Sequence, residues 1–222
     1  MNLQKHLASL ILVTFLISSG LIQTNEIIAQ VKIGMKATSP TVSAKASTRE
    51  YWEPTNRNHY ILSYQSTKNN FSFGMSFFHE MNKAFVMTDV LFRKNVIEYQ
   101  LEIDSGIERE LHIVEDEHQI VTVPVVAGYR KKNVKFGLGP VFNIKADSSY
   151  GLLEYEGFNL QSRKVNKGIM FLLGVTIKDF VQLDLRHELS LDSVGDDYNI
   201  VGNSLKIHSH SQSFSVSVGI YL

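Results

Sequence analysis

The chain has 222 residues, and its 22 basic and 22 acidic side chains give a formal net charge of zero. A balanced charge argues against a broad basic surface, and therefore against nucleic acid as a partner. There is no cysteine, which excludes a disulfide framework and a lipid anchor attached to an N-terminal cysteine.

The first 30 residues have the pattern of an export signal. Lys5 and His6 precede an apolar run at 7–17, which is shorter than the about 20 residues of a membrane-spanning helix. We therefore expect residues 1–30 to be a signal peptide, cleaved after Gly20 or near its end. A retained N-terminal helix that anchors the chain is the alternative.

Residues 31–222 are expected to form one mature domain of β-strands, because apolar and polar residues alternate along them. In the last segment, QSFSVSVGIYL, Phe214 and Val216 share one face, whereas Ser213 and Ser215 share the other. No long stretch repeats with the 3.6-residue period of a helix. We predict eight strands, at about 31–43, 59–79, 84–103, 119–130, 134–145, 168–177, 180–190 and 212–222.

Short and long connections alternate between these strands. Tight turns are predicted at 81–83, 131–133 and 178–179, and longer polar connections at 44–58, 104–118, 146–167 and 191–211. An up-and-down barrel in an outer membrane has this alternation, with short periplasmic turns and longer external loops. Both termini would then lie on the periplasmic side.

Two features complicate this pattern. The segment STKNN (66–70) could be a hairpin turn, which would give nine strands; we interpret it instead as a bulge or break outside the membrane. Pro124 and Pro140 lie within predicted strands, and because proline lacks the N–H of the ladder we expect bulges there.

The apolar face of each strand is expected to contact lipid, and the face rich in Ser, Gly, Lys and acids to line the barrel interior. The alternative is a soluble sandwich or a lipocalin-like barrel, in which the apolar face would point inward.

The order of residues in VTVPVVAGYRKKNVKFGLGPVFNI (121–144) resembles the PorT-like outer-membrane β-barrel family of Bacteroidota. The resemblance lies in an apolar-Pro-apolar strand, a closing Tyr, a tight turn and a Gly-x-Gly-Pro strand, here Pro124, Tyr129, Gly137, Gly139 and Pro140. It implies the barrel fold, and its name-giving branch implies an accessory role in protein export. The chain departs from the usual aromatic C-terminus of such barrels, since it ends in Tyr221-Leu222.

Charged residues on the interior face are the strongest candidate site. Asp184, Arg186 and Glu188 alternate on the seventh strand, and Asp89 and Arg93 lie on the third, which is opposite in an eight-stranded barrel. Because so narrow a barrel is filled by side chains, we expect these five charges to pair with each other. A proton or ion path is the alternative.

Sites for metal, cofactor or catalysis are weakly indicated. His208 and His210 supply only half of a zinc site, and the further candidate ligands at 115–118, in another predicted loop, have no fixed distance from them. His187 and Ser190 have opposite parity, so they cannot form a catalytic dyad on a regular strand. We therefore predict no metal, no cofactor and no enzymatic activity.

Three functions remain open. The protein is a non-enzymatic barrel that acts through external loops or as a membrane-embedded partner, an accessory of an export system, or a lipid-modifying enzyme. A wide porin is disfavoured because eight strands leave no aqueous channel. Outer-membrane lipid and other envelope proteins are the expected partners.

Overall fold

The computed structural model describes residues 30–44, 48–52, 58–69, 71–155, 158–161, 164–191, 197–200, 203–206 and 211–222. The predicted signal peptide lies outside these residues except for Gln30. The described chain is almost entirely β-strand, with one short 3-10 helix at Gly151–Glu154. The strands are β1 (Gln30–Ala44), β2 (Thr48–Trp52), β3 (His59–Asn69), β4 (Ser72–Met81), β5 (Ala84–Asp104), β6 (Arg109–Lys131), β7 (Val134–Tyr150), β8 (Phe158–Gln161), β9 (Val165–Ile177), β10 (Val181–Ser190), β11 (Asp197–Ile200), β12 (Asn203–Lys206) and β13 (Ser211–Tyr221).

Eight strand positions form a closed antiparallel ring in the order β1, β4, β5, β6, β7, β9, β10, β13 and back to β1. The closure is visible at Lys36, which lies opposite Gly74 on one side and Gly219 on the other. Neighbours in the ring follow each other along the chain. The predicted fold class, an all-β eight-stranded antiparallel up-and-down barrel, is therefore confirmed.

The second strand of the ring is interrupted. β3 pairs with the distal part of β5 and β4 with its proximal part, so β3 and β4 lie end to end along one edge of β5. The pairing also shifts register between Tyr64 and Ser66. The predicted long strand with a bulge or break is therefore confirmed, and the nine-strand alternative is wrong.

One end of the barrel, here called the turn end, carries the tight turns at 82–83, 132–133 and 178–180. Asn82, Lys132, Lys178 and Asp179 have positive φ there, as compact hairpin turns require. The start of β1 and the end of β13 are at this end too, because the Leu222 N–H donates to the Ile33 carbonyl at 3.0 Å. The opposite end is called the loop end.

The predicted long connection at 104–118 is wrong. β6 begins at Arg109, and only residues 105–108 turn, with the Ser105 N–H donating to the Glu108 carbonyl at 3.0 Å. The acidic residues that suggested a loop lie on strands and pair across them, as Lys94 does with Glu117 at 2.7 Å. The other predicted long connections contain strands as well, and β8, β11 and β12 form a separate three-stranded sheet.

The bulges expected at the two prolines are also wrong. Pro124 lies opposite Val141 and Pro140 opposite Ile169, with no register shift at either position. At Pro124 the pairing between β5 and β6 is interrupted for two residues and then resumes in the same register. Proline therefore weakens the ladder locally, but neither strand has the extra residue that defines a bulge. The Thr88 hydroxyl donates to the Pro124 carbonyl at 2.9 Å.

The barrel surface carries what we call the apolar belt, a ring of outward apolar side chains on the part of the barrel nearer the turn end. Met35 is 74% exposed and Phe73 is 65% exposed. On β7 the belt runs from Val134 to Ile144, about 33 Å along the strand and about 25 Å in height at a usual barrel tilt. Other members include Ile33, Met75, Phe136, Leu138, Phe171, Leu173, Val175, Leu183, Leu185, Phe214, Val216, Val218 and Ile220.

Beyond the belt, β3 and the distal parts of β5 and β6 form what we call the extension (His59–Asn69, 96–104 and 109–115). Here the polarity is reversed, because apolar side chains point inward and pack into one cluster. That cluster consists of Leu62, Tyr99, Leu101, Val114, Leu152 and Phe158. The outward face of the extension carries polar groups such as Glu98 and Glu102. No helix among the described residues is long and apolar enough to cross a membrane.

Candidate functional site: buried ions in the lumen

Strand alternation directs acidic and basic side chains into the barrel from opposite walls. Asp89 enters from β5, and Asp184 and Arg186 enter from β10. The Arg186 Nη2 atom lies 2.5 Å from Asp89 Oδ2 and 3.4 Å from Asp184 Oδ2. Three of the five charged residues predicted to meet in the lumen are therefore in direct contact.

Two lysines complete this group. Lys36 Nζ on β1 lies 3.0 Å from Asp184 Oδ2 and 3.4 Å from Asp89 Oδ1. Lys135 Nζ on β7 lies 2.9 Å from Asp184 Oδ1. These five residues, Lys36, Asp89, Lys135, Asp184 and Arg186, are called the ion cluster, and their side chains are at most 1% exposed.

Arg93 and Glu188 lie apart from the ion cluster, nearer the loop end. Asn143 links them, because its Oδ1 accepts from Arg93 Nη2 at 3.1 Å and its Nδ2 donates to Glu188 Oε1 at 2.6 Å. Thr122 also donates to Asn143 Oδ1, at 2.7 Å. The five predicted residues thus occupy two layers, because Arg93 and Glu188 are farther along their strands than the groups that contact in the cluster.

Lys36 and Lys135 lie on predicted interior faces, but the sequence alone does not assign them to the ion network. The signal that could have identified them is glycine at the paired positions, since Lys135 and Asp184 both lie opposite Gly174. A Cβ atom at Gly174 would collide with Asp184 Oδ1 and with Lys135 Cε. Because Gly174 has no side chain, Asp184 and Lys135 have room to contact each other.

Aromatic rings pack around the ion cluster and fill the lumen toward the turn end. Lys135 Nζ lies 5.1 Å from the ring centroid of Phe78, and Lys36 Nζ lies 5.8 Å from that of Tyr221. The Tyr221 and Ser76 hydroxyls are 2.7 Å apart, and Ser76 donates to Asp89. The site can therefore hold four strands together through charge. Away from it, on β6 and β7, the Ser148 hydroxyl lies 3.0 Å from His118 Nδ1.

At the mouth of the turn end, Arg130 contacts three connections of the chain. Its Nη1 atom lies 2.5 Å from Glu80 Oε2, and its Nε donates to the Lys132 carbonyl at 2.8 Å. Its Nη2 lies 3.4 Å from Asp179 Oδ1. The Arg130 backbone N–H also donates to the Lys83 carbonyl at 2.6 Å, so this residue ties the three tight turns to one another.

The other candidates do not assemble into a site among the described residues. No three His, Asp or Glu side chains there could hold a metal ion together, and His208 and His210 lie outside the described part. Asp116 accepts from the Gly151 N–H at 3.0 Å. His187 points outward and stacks on Phe214 with a centroid distance of 4.1 Å, so it is remote from the lumen.

No protein-family model matches the chain, and no curated protein matches it either. Among solved structures it is similar to the outer membrane protein OprG from Pseudomonas aeruginosa, at 12% identity, with 86% of this chain and 91% of that chain covered and a TM-score of 0.41. It is also similar to the NanC porin, at 9% identity, with 86% and 100% covered and a TM-score of 0.31. Likenesses this distant leave membership of the PorT-like family a prediction, and the barrel itself is defined by its strand pairing.

Proposed function

We propose that the protein is a non-enzymatic integral outer-membrane barrel. Its lumen is filled by charged and aromatic side chains, and the barrel serves as an anchor for segments at the loop end. The observation that carries this is the polarity of the barrel wall at the apolar belt, where apolar side chains face outward and charged side chains face inward. Met35 and Phe73 point outward and are largely exposed, whereas Asp89 and Arg186 point inward and are buried.

The apolar belt supports a membrane position because soluble proteins rarely expose apolar patches larger than a few hundred Å². A closed barrel has no free sheet edge, and this allows β-strands to cross a bilayer. The belt height of about 25 Å equals the apolar band of bacterial outer-membrane barrels. In such barrels the short turns are periplasmic, so we propose that the turn end, with the start of β1 and the end of β13, faces the periplasm.

The lumen supports an anchoring role over a transport role. An eight-stranded barrel is just wide enough for its own side chains, and here Phe78, Phe85 and the ion cluster occupy the interior. A diffusion path would need these groups to move apart and leave charges unpaired, which is costly.

The extension is the part that we propose contacts a partner. Ile107 at its tip is 94% exposed, and Ile113 in the extension and Trp52 on the adjoining β2 are also largely exposed. Exposed apolar patches mark surfaces for protein contact, whereas single exposed apolar residues are common on any protein. Other envelope proteins are the proposed partner class.

Membrane insertion is tested by fractionation and gel mobility. The protein is expected in outer-membrane fractions, to keep its β-sheet circular dichroism in detergent, and to migrate differently before and after boiling. Recovery as a folded protein in buffer without detergent would contradict the proposal.

The partner surface is tested by placing a photo-crosslinking residue at Ile107 and, as a matched control, at Lys83 on the turn end. Crosslinks to an envelope protein from Ile107 alone are the expected result. Equal crosslinking to that protein from both positions, or none from Ile107, would exclude the extension as the contact surface.

A further inference from the structure

The ion cluster carries an unbalanced charge. It contains three cations, Lys36, Lys135 and Arg186, and two carboxylates, Asp89 and Asp184. The neighbouring layer does not compensate, because Arg93 and Glu188 there cancel each other. One positive charge is therefore enclosed in the lumen without a counter-charge from the described residues, and an uncompensated buried charge is strongly unfavourable.

Hydrogen-bond donors are also left over in the same place. Arg186 makes all its contacts through Nη2, while its buried Nε and Nη1 atoms have no hydrogen-bond partner among the described residues. An arginine has five N–H donors and no acceptor. The buried hydroxyls of Thr38 and Ser217 lack partners in the described part of the chain as well.

Strand register brings these donors to one wall of the lumen. Ser217 on β13 lies directly opposite Thr38 on β1 and opposite Asp184 on β10. Arg186 is on the same inward face, two residues along β10. Diagonal neighbours of this kind have Cα atoms about 7–8 Å apart, within reach of a long side chain. The wall therefore offers N–H and O–H groups beside an excess positive charge.

We propose that one small monovalent inorganic anion of the halide class is bound in the lumen, against Arg186, Ser217 and Thr38. The anion balances three cations with three negative charges and accepts hydrogen bonds from the unused donors. Buried polar groups without partners are rare in folded proteins, and an ordered ion or water is the usual explanation where they occur. A water molecule would satisfy the donors but would leave the charge unbalanced.

This site is separate from the proposed partner surface, and its test does not depend on that function. The purified barrel is unfolded in urea in detergent micelles at constant ionic strength, with sodium chloride replaced stepwise by sodium gluconate. A bound halide stabilises the folded state by mass action. Above the dissociation constant, the unfolding equilibrium constant is therefore expected to fall about tenfold for each tenfold rise in chloride. Equal unfolding midpoints in the two salts would overturn the proposal.

One variant tests whether the excess positive charge of the ion cluster is what binds the anion. Lys135→Met removes one cation but leaves Asp184 in contact with Lys36 and Arg186, at 3.0 and 3.4 Å. The cluster is then neutral, so its chloride dependence is expected to disappear, whereas Lys83→Met on the exposed turn should keep it. Identical chloride dependence in the Lys135→Met and Lys83→Met proteins would contradict a charge-balancing anion.

If Lys135→Met does not fold, crystallography of the protein with its unaltered sequence still tests the proposal. Crystals grown in sodium bromide are expected to show an anomalous bromide peak inside the lumen beside Arg186. Density at that position without a bromide signal would identify a water molecule and overturn the proposal.

Discussion

Asp184 and Leu185 are neighbours in sequence but lie on opposite faces of the barrel wall. Asp184 contacts three cations in the lumen, whereas Leu185 is 51% exposed within the apolar belt. The consequence of truncating each side chain therefore depends on what lies outside the barrel.

We predict that Asp184→Ala destabilises the barrel more than Leu185→Ala does. Asp184→Ala leaves buried cations without a counter-charge, and breaking a buried pair costs about 3–5 kcal/mol. Leu185→Ala removes only contact with lipid and leaves no internal cavity. The measurement is urea unfolding in detergent or liposomes.

The opposite order would identify Leu185 as a core residue. In a soluble fold with the apolar face inside, Leu→Ala would leave a cavity and cost about 2–5 kcal/mol. A loss of that size at Leu185, with little effect at Asp184, would reverse the inside and outside of the barrel.

Gly174 is predicted to be intolerant of even the smallest side chain. Its missing Cβ leaves room for Asp184 and Lys135, so Gly174→Ala should cost about 1–3 kcal/mol through overpacking. Shortening Lys135 relieves part of that clash. The double variant Gly174→Ala with Lys135→Ala should therefore lose less stability in urea than the sum of the two single losses, and strict additivity would show that the two sites do not touch.

Among the strands, β5 changes the polarity of its inward face along its length. Near the turn end its inward residues are charged or mixed, such as Asp89, while near the loop end they are apolar, such as Leu101. In the proposed membrane position one part of β5 is surrounded by lipid and the other by water, so a single strand can carry both patterns. The apolar residues of β5 accordingly change from the outward face at Phe92 to the inward face at Ile97, while the strand faces keep their direction.

We predict that Leu101→Ala loosens the extension but not the barrel. Leu101 is fully buried in the cluster with Leu62 and Tyr99, so its truncation leaves a cavity. Limited proteolysis of the protein in liposomes should cut the extension faster while the barrel strands stay protected. Leu111→Ala is the control, because Leu111 is 59% exposed; equal cutting in both variants would contradict the packed extension.

The strands that cross the belt could be predicted from sequence, because alternation and tight turns determine them locally. The β5–β6 hairpin could not, since Glu115, Asp116 and Glu117 have the composition of a loop and its inward apolar cluster depends on remote residues such as Leu152 and Phe158. Part of the ion cluster could also be predicted, because strand alternation places Asp89, Asp184 and Arg186 inside the barrel. Lys36 and Lys135 require knowledge of which glycines lie opposite them.

For the whole molecule, the turn end and loop end should lie on opposite sides of the membrane. An epitope inserted after Gly106, at the tip of the extension, should be labelled by antibody on intact cells. The same epitope after Lys83, in a tight turn, should be labelled only after the outer membrane is permeabilised. Labelling in the reverse order would show that the assigned orientation is wrong.

Contact between the apolar belt and lipid can be measured with a single tryptophan at a chosen position. Trp52 is the only tryptophan, so Trp52→Phe provides a background for Leu185→Trp within the belt and for Gln100→Trp on the outward face of the extension. Each protein is reconstituted into bilayers whose acyl chains carry bromine, a short-range quencher of tryptophan fluorescence. Strong quenching and blue-shifted emission are expected at position 185, with neither at position 100. A tryptophan at 185 that bromolipids leave unquenched would contradict the account.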